Sequence, residues 1–266
     1  MVRFIHITDT HIGPRRDFTL YERRPYDYLR ELVDRINALA FEVDFVLHTG
    51  DVVEDANPVS YELYRELISR LKFPVRYVAG NHDHAGELQT RLMGSDKVLE
   101  RVDYCFEAGG IRFVVLDTRG PVQPGGRVEK TQLDWLKTQC ASDGPPLVIA
   151  MHHVPVLLDT PWLDRPPQGW GGKFMFIENA EQVLEVIGHA RSRLRGIFTG
   201  HVHGLFMTQS QGLMVCAGQS TFGPLRSDPR TDGVTVDHDQ AVMFNLVTVT
   251  AEQTIIRPRT YSLPEK

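Results

Sequence analysis

Five times in this chain a short apolar run ends in a cluster of small polar and metal-ligating residues. The runs are Phe4–Ile7, Phe45–Leu47, Val75–Val78, Leu147–Ala150 and Gly196–Phe198. The clusters are Asp9-Thr10-His11, Gly50-Asp51, Gly80-Asn81-His82-Asp83, His152-His153 and Gly200-His201-Val202-His203. Runs of this length and composition predict β-strands. Every cluster therefore falls at a strand's carboxyl end, the edge at which open α/β sheets bind ligands.

The segments between the clusters predict the rest of the scaffold. Helices over Tyr26–Ala40 and Val59–Leu71 alternate with the first three strands, the pattern of parallel βαβ units. Tyr28, Leu29, Leu32, Val33, Ile36 and Leu39 form an i, i+3, i+4 stripe suited to covering a sheet. Tyr104–Ala108 and Arg112–Asp117 read as a hairpin turned by Gly109-Gly110, followed by a helix around Lys130–Cys140. After Gly200 the apolar runs Leu205–Gln209, Leu213–Ala217, Ala241–Thr248 and Thr254–Arg257 predict a strand-rich second half. Pro155–Gly172 and Gly218–Asp239 are crowded with proline, glycine and small polar residues and predict long irregular loops bordering the site.

At 266 residues the chain is expected to form one domain, 1–266. A hydrophobic fraction of 42% with 24% charged residues suits a soluble globule. No apolar run is long enough to cross a bilayer, and the first residues lack a secretory signal, so the cytoplasm is the expected compartment. Cys105, Cys140 and Cys216, odd in number and widely spaced, predict free thiols. A net charge of −5 without a Lys/Arg stripe argues against a polymeric nucleic-acid partner.

The candidate donors are the carboxylates of Asp9 and Asp51, the amide of Asn81 and the imidazoles of His11, His152, His201 and His203. Oxygen mixed with imidazole suits Mn, Fe, Zn or Co and argues against structural thiolate zinc and all-oxygen calcium cages. A lone Asp-x-His or His-x-His pair is common and carries little, whereas five clusters in series, each after a strand, read as a two-metal hydrolase. Asp51 is the choice for a carboxylate shared by both ions. Two carboxylates leave excess positive charge to hold a phosphate in an otherwise acidic chain.

Asp9-x-His11, Gly50-Asp51, Gly80-Asn81-His82-Asp83, His152 and Gly200-His201-x-His203 resemble the motif series of calcineurin-like metallophosphoesterases, over Ile7 to His203. The resemblance implies an α/β fold of four layers, α/β/β/α: a metallophosphoesterase sandwich of two mixed sheets flanked by helices. It puts Asp9, His11, Asp51 and His203 on one metal ion and Asp51, Asn81, His152 and His201 on the other. The ions are divalent or of mixed valence. His152-His153-Val154-Pro155 resembles the His-His-Pro-Pro of bacterial phosphodiesterases, with Val154 replacing the first proline. A homo-oligomer, dimer or larger, is left open by the same resemblance.

A metal-bridging hydroxide would attack the phosphorus in line, leaving an alkoxide to be neutralised. His82, one residue beyond a ligand, is the candidate general acid or electrostatic stabiliser, which is also its implied family role. Asp83 and Glu54 are candidates to orient it. His84 and His153 adjoin motif positions and are candidates for touching substrate or supporting the ligands; His6, His48, His189 and His238 read as structural. Purple acid phosphatases carry a tyrosine ligand where this chain has Glu54. Serine/threonine phosphatases follow the bridging aspartate with Asp-Arg-Gly and grip a dianion with arginines, which Gly50–Ala56 lacks. The expected substrate is accordingly a small phosphodiester, such as a 3′,5′-cyclic nucleotide or a glycerophosphodiester, with Trp162, Trp170, Phe174 or Phe222 available for stacking. The alternatives are a phosphomonoesterase, a nucleotide-sugar or lipid pyrophosphatase, and, more remotely, a non-catalytic metal-binding interaction module.

Overall fold

The computed structural model describes residues 1–165 and 175–264. Among the described residues, eleven strands form two mixed sheets. In the first, β1 (Val2–Ile7), β2 (Phe45–His48) and β3 (Val75–Tyr77) are parallel, and β10 (Val242–Val249) and β11 (Thr254–Tyr261) extend it antiparallel beyond β1. In the second, β5 (Ile111–Leu116), β6 (Leu147–Met151), β7 (Leu194–Thr199) and β9 (Leu213–Ala217) are parallel. The hairpin strands β4 (Tyr104–Ala108) and β8 (Phe206–Ser210) close its two edges.

Successive strand side chains point to opposite faces, and the apolar residues sort accordingly. Val2 and Phe4 of β1, Phe113 and Val115 of β5, and Val148 and Ala150 of β6 meet between the sheets. Ile5 and Ile7 face the other way, toward α1 (Pro25–Asn37) and α2 (Pro58–Ile68). Val114, Leu116, Ile149 and Met151 pack under α4 (Lys130–Gln139) and α6 (Ala180–Gly188). Three apolar cores between four layers make the α/β/β/α sandwich. Phe4 anchors the middle one, stacked on Phe45 at 5.2 Å and edge-on to Phe113 at 5.6 Å and Phe198 at 5.3 Å. Truncating so buried a ring costs about 3–5 kcal/mol, and here it would loosen the two sheets against each other.

The helix expected to run to Ala40 stops at Asn37 with Ala38 as its C-cap, although Leu39, the last residue of the stripe, still packs against the same core. α2 begins at Pro58 because proline tolerates the first helical position, and the Asn57 side chain caps it by accepting from Val59 N at 2.9 Å. Within the stretch expected to be wholly irregular, Pro161–Asp164 forms one helical turn, α5, again with proline at its start. Residues 166–174, including Trp170 and Phe174, lie outside the described part. The sequence reading also missed α6 and the segment of α3 (Ala85–Glu87) and a π-turn (Leu88–Leu92). The three cysteines are free. Among the described residues no helix is long and apolar enough to cross a membrane.

Candidate metal centre

The loops leaving β1, β2 and β3 carry Asp9, His11, Asp51, Asn81 and His82 to the carboxyl edge of the first sheet. Those leaving β6 and β7 carry His152, His201 and His203 to the adjoining edge of the second. Close approach of these loops requires missing side chains. A Cβ on Gly50, whose φ is +103°, would lie 2.4 Å from His152 Nδ1; one on Gly80 would lie 2.2 Å from Asp51 Oδ1. Asp9, His11, Asp51, His201 and His203 themselves have φ of 52°, 43°, 53°, 74° and 54°, in the left-handed region that non-glycine residues seldom adopt. Backbone hydrogen bonds from Asp9 to Gly50 and from His11 to Asp51, 3.0 and 3.1 Å, hold the first two loops together.

The donor atoms converge on two points. At the first, His11 Nε2 and His203 Nε2 are 3.0 Å apart, each near Asp9 Oδ1 at 3.8 and 3.7 Å. At the second, His152 Nε2 lies 3.1 Å from Asn81 Oδ1 and 3.1 Å from His201 Nδ1. Asp51 Oδ2 belongs to both, 3.6 Å from His11 Nε2 and 3.2 Å from His152 Nε2. The opposite ring nitrogens are already committed: His11 Nδ1 donates to Glu54 Oε2 at 2.7 Å, His152 Nδ1 to the Thr49 carbonyl at 2.7 Å, and His203 Nδ1 to the Gly223 carbonyl at 3.0 Å. In the neutral rings the Nε2 atoms are therefore lone pairs. The lone pairs of these three rings, the carboxylate oxygens and an amide oxygen face one another, which is the environment of a cation. Carbonyl or carboxylate acceptors behind ligating histidines are the usual support of metal sites.

The charge balance agrees. Burial disfavours the charged form of His11, but Asp9, Glu54 and Asp51 override it and push its pKa up to about 10. Burial likewise opposes charge on His152, and Asp51 raises it to about 9. Asp51, despite a burial that would raise it, is held well below the ordinary carboxylate range by His152 and His11. His203 and His201 are lowered, first by burial, the former to about 4. Positive charge is thus favoured at both points, and the donor set suits divalent metal ions.

The remaining candidates separate. His82 lines the cavity, and its Nδ1 donates to the backbone carbonyl of Glu54 at 2.7 Å. Glu54's carboxylate serves His11 and stands 3.5 Å from His82 Nδ1, so its side chain orients a donor and its main chain orients His82. Asp83 does not reach His82. Its carboxylate accepts from the backbone N–H of Gly80 at 2.9 Å and Val52 at 3.1 Å and from the Tyr61 hydroxyl at 3.4 Å, tying the Asn81 loop to the Asp51 loop. Burial and nearby Asp51 raise it to about 6. His84 is exposed and caps α3, accepting from Glu87 N at 3.3 Å; the cavity does not include it. His153 is buried against His201 at 4.5 Å, but Thr118 Oγ1 and the Pro124 carbonyl occupy both its nitrogens at 2.8 and 2.9 Å, so it supports the ligands without an electron pair to offer. His6 and His48 are buried; His189 and His238 are exposed.

A cavity of about 220 Å³ opens over the donors. Opposite the polar floor it is walled by Leu20, Tyr21, Trp162, Met175, Leu225 and Val234, of which only Trp162 had been singled out in the sequence. Phe222 is fully buried and stacks under Tyr21 at 6.2 Å, so it is not available to a ligand. Tyr21 sits at the tip of a tight turn closed by Leu20 and Arg23, with its own φ at 50°; no motif marks it. No lysine or arginine is among the described residues lining the cavity.

Comparison with known proteins places these observations. The family profile described as calcineurin-like phosphoesterase matches residues 2–205. The chain is 31% identical over 231 residues to a 3′,5′-cyclic adenosine monophosphate phosphodiesterase, CpdA, of Pseudomonas aeruginosa, covering 85% of this chain and 80% of that one. It is 26% identical over 217 residues to the glycerophosphodiester phosphodiesterase GpdQ of Enterobacter lignolyticus, covering 77% and 72%. In fold it resembles a dimetal phosphatase of Danio rerio with a TM-score of 0.69 at 18% identity, covering 97% of this chain and 96% of the other.

Proposed function

The chain belongs to the calcineurin-like phosphoesterase family, a family of hydrolases, and from that premise we propose that it is a binuclear-metal phosphodiesterase acting on small phosphodiesters such as 3′,5′-cyclic nucleotides or glycerophosphodiesters. The observation that carries the reading is the shared position of Asp51 Oδ2 between two sets of converging acceptors. Asp9, His11, Asp51 and His203 would hold one ion and Asp51, Asn81, His152 and His201 the other. Mn, Fe, Zn and Co all suit these donors. When bound, such ions supply positive charge to the phosphoryl oxygens and acidify water for in-line attack.

The chain's own part is positioning and proton transfer. With His82 Nδ1–H held on the Glu54 carbonyl, the imidazolium form, protonated on both nitrogens, would give its Nε2 proton to the leaving alkoxide in the cavity and return to the neutral ring. The apolar wall excludes water and receives the organic part of the ester. A diester monoanion fits a cavity with no lysine or arginine among its described lining better than a phosphate dianion, for which bidentate arginine is the preferred partner. The similarity to cyclic nucleotide and glycerol phosphodiesterases supports the same choice, and the cytoplasm remains the expected setting.

Metal-loaded protein assayed on bis(p-nitrophenyl) phosphate, cyclic AMP and p-nitrophenyl phosphate tests the reading. Turnover of the first two above the third is expected, and monoester hydrolysis without diester hydrolysis would overturn it.

A further inference from the structure

Glu54 is the one charged side chain among the described cavity-lining residues that is neither a candidate metal ligand nor a histidine. Its carboxylate is fixed in place, 2.7 Å from His11 Nδ1, and keeps 25% of its side-chain surface exposed. A carboxylate is acidic enough to be ionised at neutral pH. Among the described residues no guanidinium or ammonium stands beside it: its near neighbours are the imidazoles of His11 at 2.7 Å and His82 at 3.5 Å, whose positive charge it opposes. Glu54 thus adds a negative charge to those of Asp9 and Asp51, and without it the same imidazoles would face an anionic ligand less opposed.

We propose that Glu54 is a specificity-determining residue: its carboxylate, pinned on His11 and open to the cavity, disfavours a phosphate dianion and so selects phosphodiesters against phosphomonoesters. A monoester carries about −1.5 to −2 charges at pH 7, whereas a diester carries one. Both bring the same phosphorus to the same donors; they differ in the second ester group and in the additional charge, and it is the charge that a carboxylate senses. Its repulsion from a carboxylate in a partly solvated cleft is of the order that changes affinity roughly tenfold. The inference rests on the phosphodiesterase reading for its biological sense, while the charge effect itself is measurable without it.

Two variants separate charge from geometry. Glu54→Gln keeps an oxygen to accept from His11 Nδ1 and removes the charge; Glu54→Ala removes both. The metal-loaded proteins are compared by kcat/KM on bis(p-nitrophenyl) phosphate and p-nitrophenyl phosphate, which share a leaving group, and by titration calorimetry with orthophosphate and dimethyl phosphate. Both variants are expected to lower the diester-to-monoester ratio about tenfold relative to the parent. Both are also expected to tighten orthophosphate binding by a similar factor, with dimethyl phosphate little changed. A ratio and an orthophosphate affinity unmoved in Glu54→Gln, or moved only in Glu54→Ala, would overturn the proposal. Absence of diester turnover in the parent would instead defeat the phosphodiesterase reading, and the orthophosphate comparison would still decide the role of Glu54.

Discussion

His82 is held by the backbone of Glu54, not by a carboxylate: its Nδ1 donates to the Glu54 carbonyl at 2.7 Å, while the Glu54 side chain turns to His11. A main-chain acceptor cannot be lost by substitution, so the orientation of His82 is insulated from the side chain at position 54.

His82→Ala is expected to keep its metal content and lose 10²–10⁴-fold in turnover, the usual contribution of a general acid. The loss shrinks as the leaving group improves, from cyclic AMP to bis(p-nitrophenyl) phosphate. Equal losses on both would show that His82 positions the phosphate without protonating the product.

Asp51→Ala removes the oxygen common to both donor sets. Chelator-treated parent protein should gain stability when Mn or Zn is added, by about 2.7 kcal/mol at a hundredfold excess over Kd. Asp51→Ala should show no such gain and no turnover. Two equivalents of metal retained in the variant, measured by elemental analysis, would refute the shared role.

Asp83→Ala strips the acceptor from the buried N–H groups of Gly80 and Val52. Each such orphan costs about 1–3 kcal/mol, so urea unfolding should register a loss of that order. Metal affinity should fall with it, since the Asn81 and Asp51 loops lose their tie. Asp83→Asn, which retains an acceptor oxygen, should recover part of both. Full stability in Asp83→Ala would count against the assignment.

Burial lowers the pKa of His6 to about 4 and of His48 to about 3, and burial followed by His152 lowers His153 to about 3. The unfolded chain binds these protons near pH 6.5, the folded chain only at those lower values. Their stabilisation is therefore complete above pH 6.5 and lost as pH falls toward 4 and 3, at up to about 1.4 kcal/mol per pH unit for each group. The urea midpoint should drop from pH 7 to pH 5, and His6→Gln should reduce the slope by the share of one proton. An unaltered slope would exclude His6 as a source.

Much of the scaffold was legible because it is local. The Gly109-Gly110 hairpin, the β1 to β3 alternation and the α1 stripe each rest on patterns within a few residues, and the layers follow from which alternate residues are apolar. α6 escaped notice because Val183, Leu184 and Ile187 make only a short stripe. The site was legible where strand ends carry donors. What lay beyond reach were relations across the chain: Tyr21 facing His203, Thr118 and Pro124 filling the nitrogens of His153, and Asp83 bonding main chain instead of its neighbour His82. Spacing in sequence says nothing of which way such side chains turn.

The left-handed backbone at Asp9, His11, Asp51, His201 and His203 makes the site expensive to keep. A conformation of this kind costs a non-glycine residue about 1–2 kcal/mol, and glycine at any of the five positions would relax it while deleting a donor. That relief is offset where the side chain also bonds the fold: Asp9 accepts from His201 N at 3.0 Å and Asp51 from His82 N at 2.9 Å. Variants selected for stability without regard to activity should therefore accumulate changes at these five positions only where the side-chain bonds can be replaced.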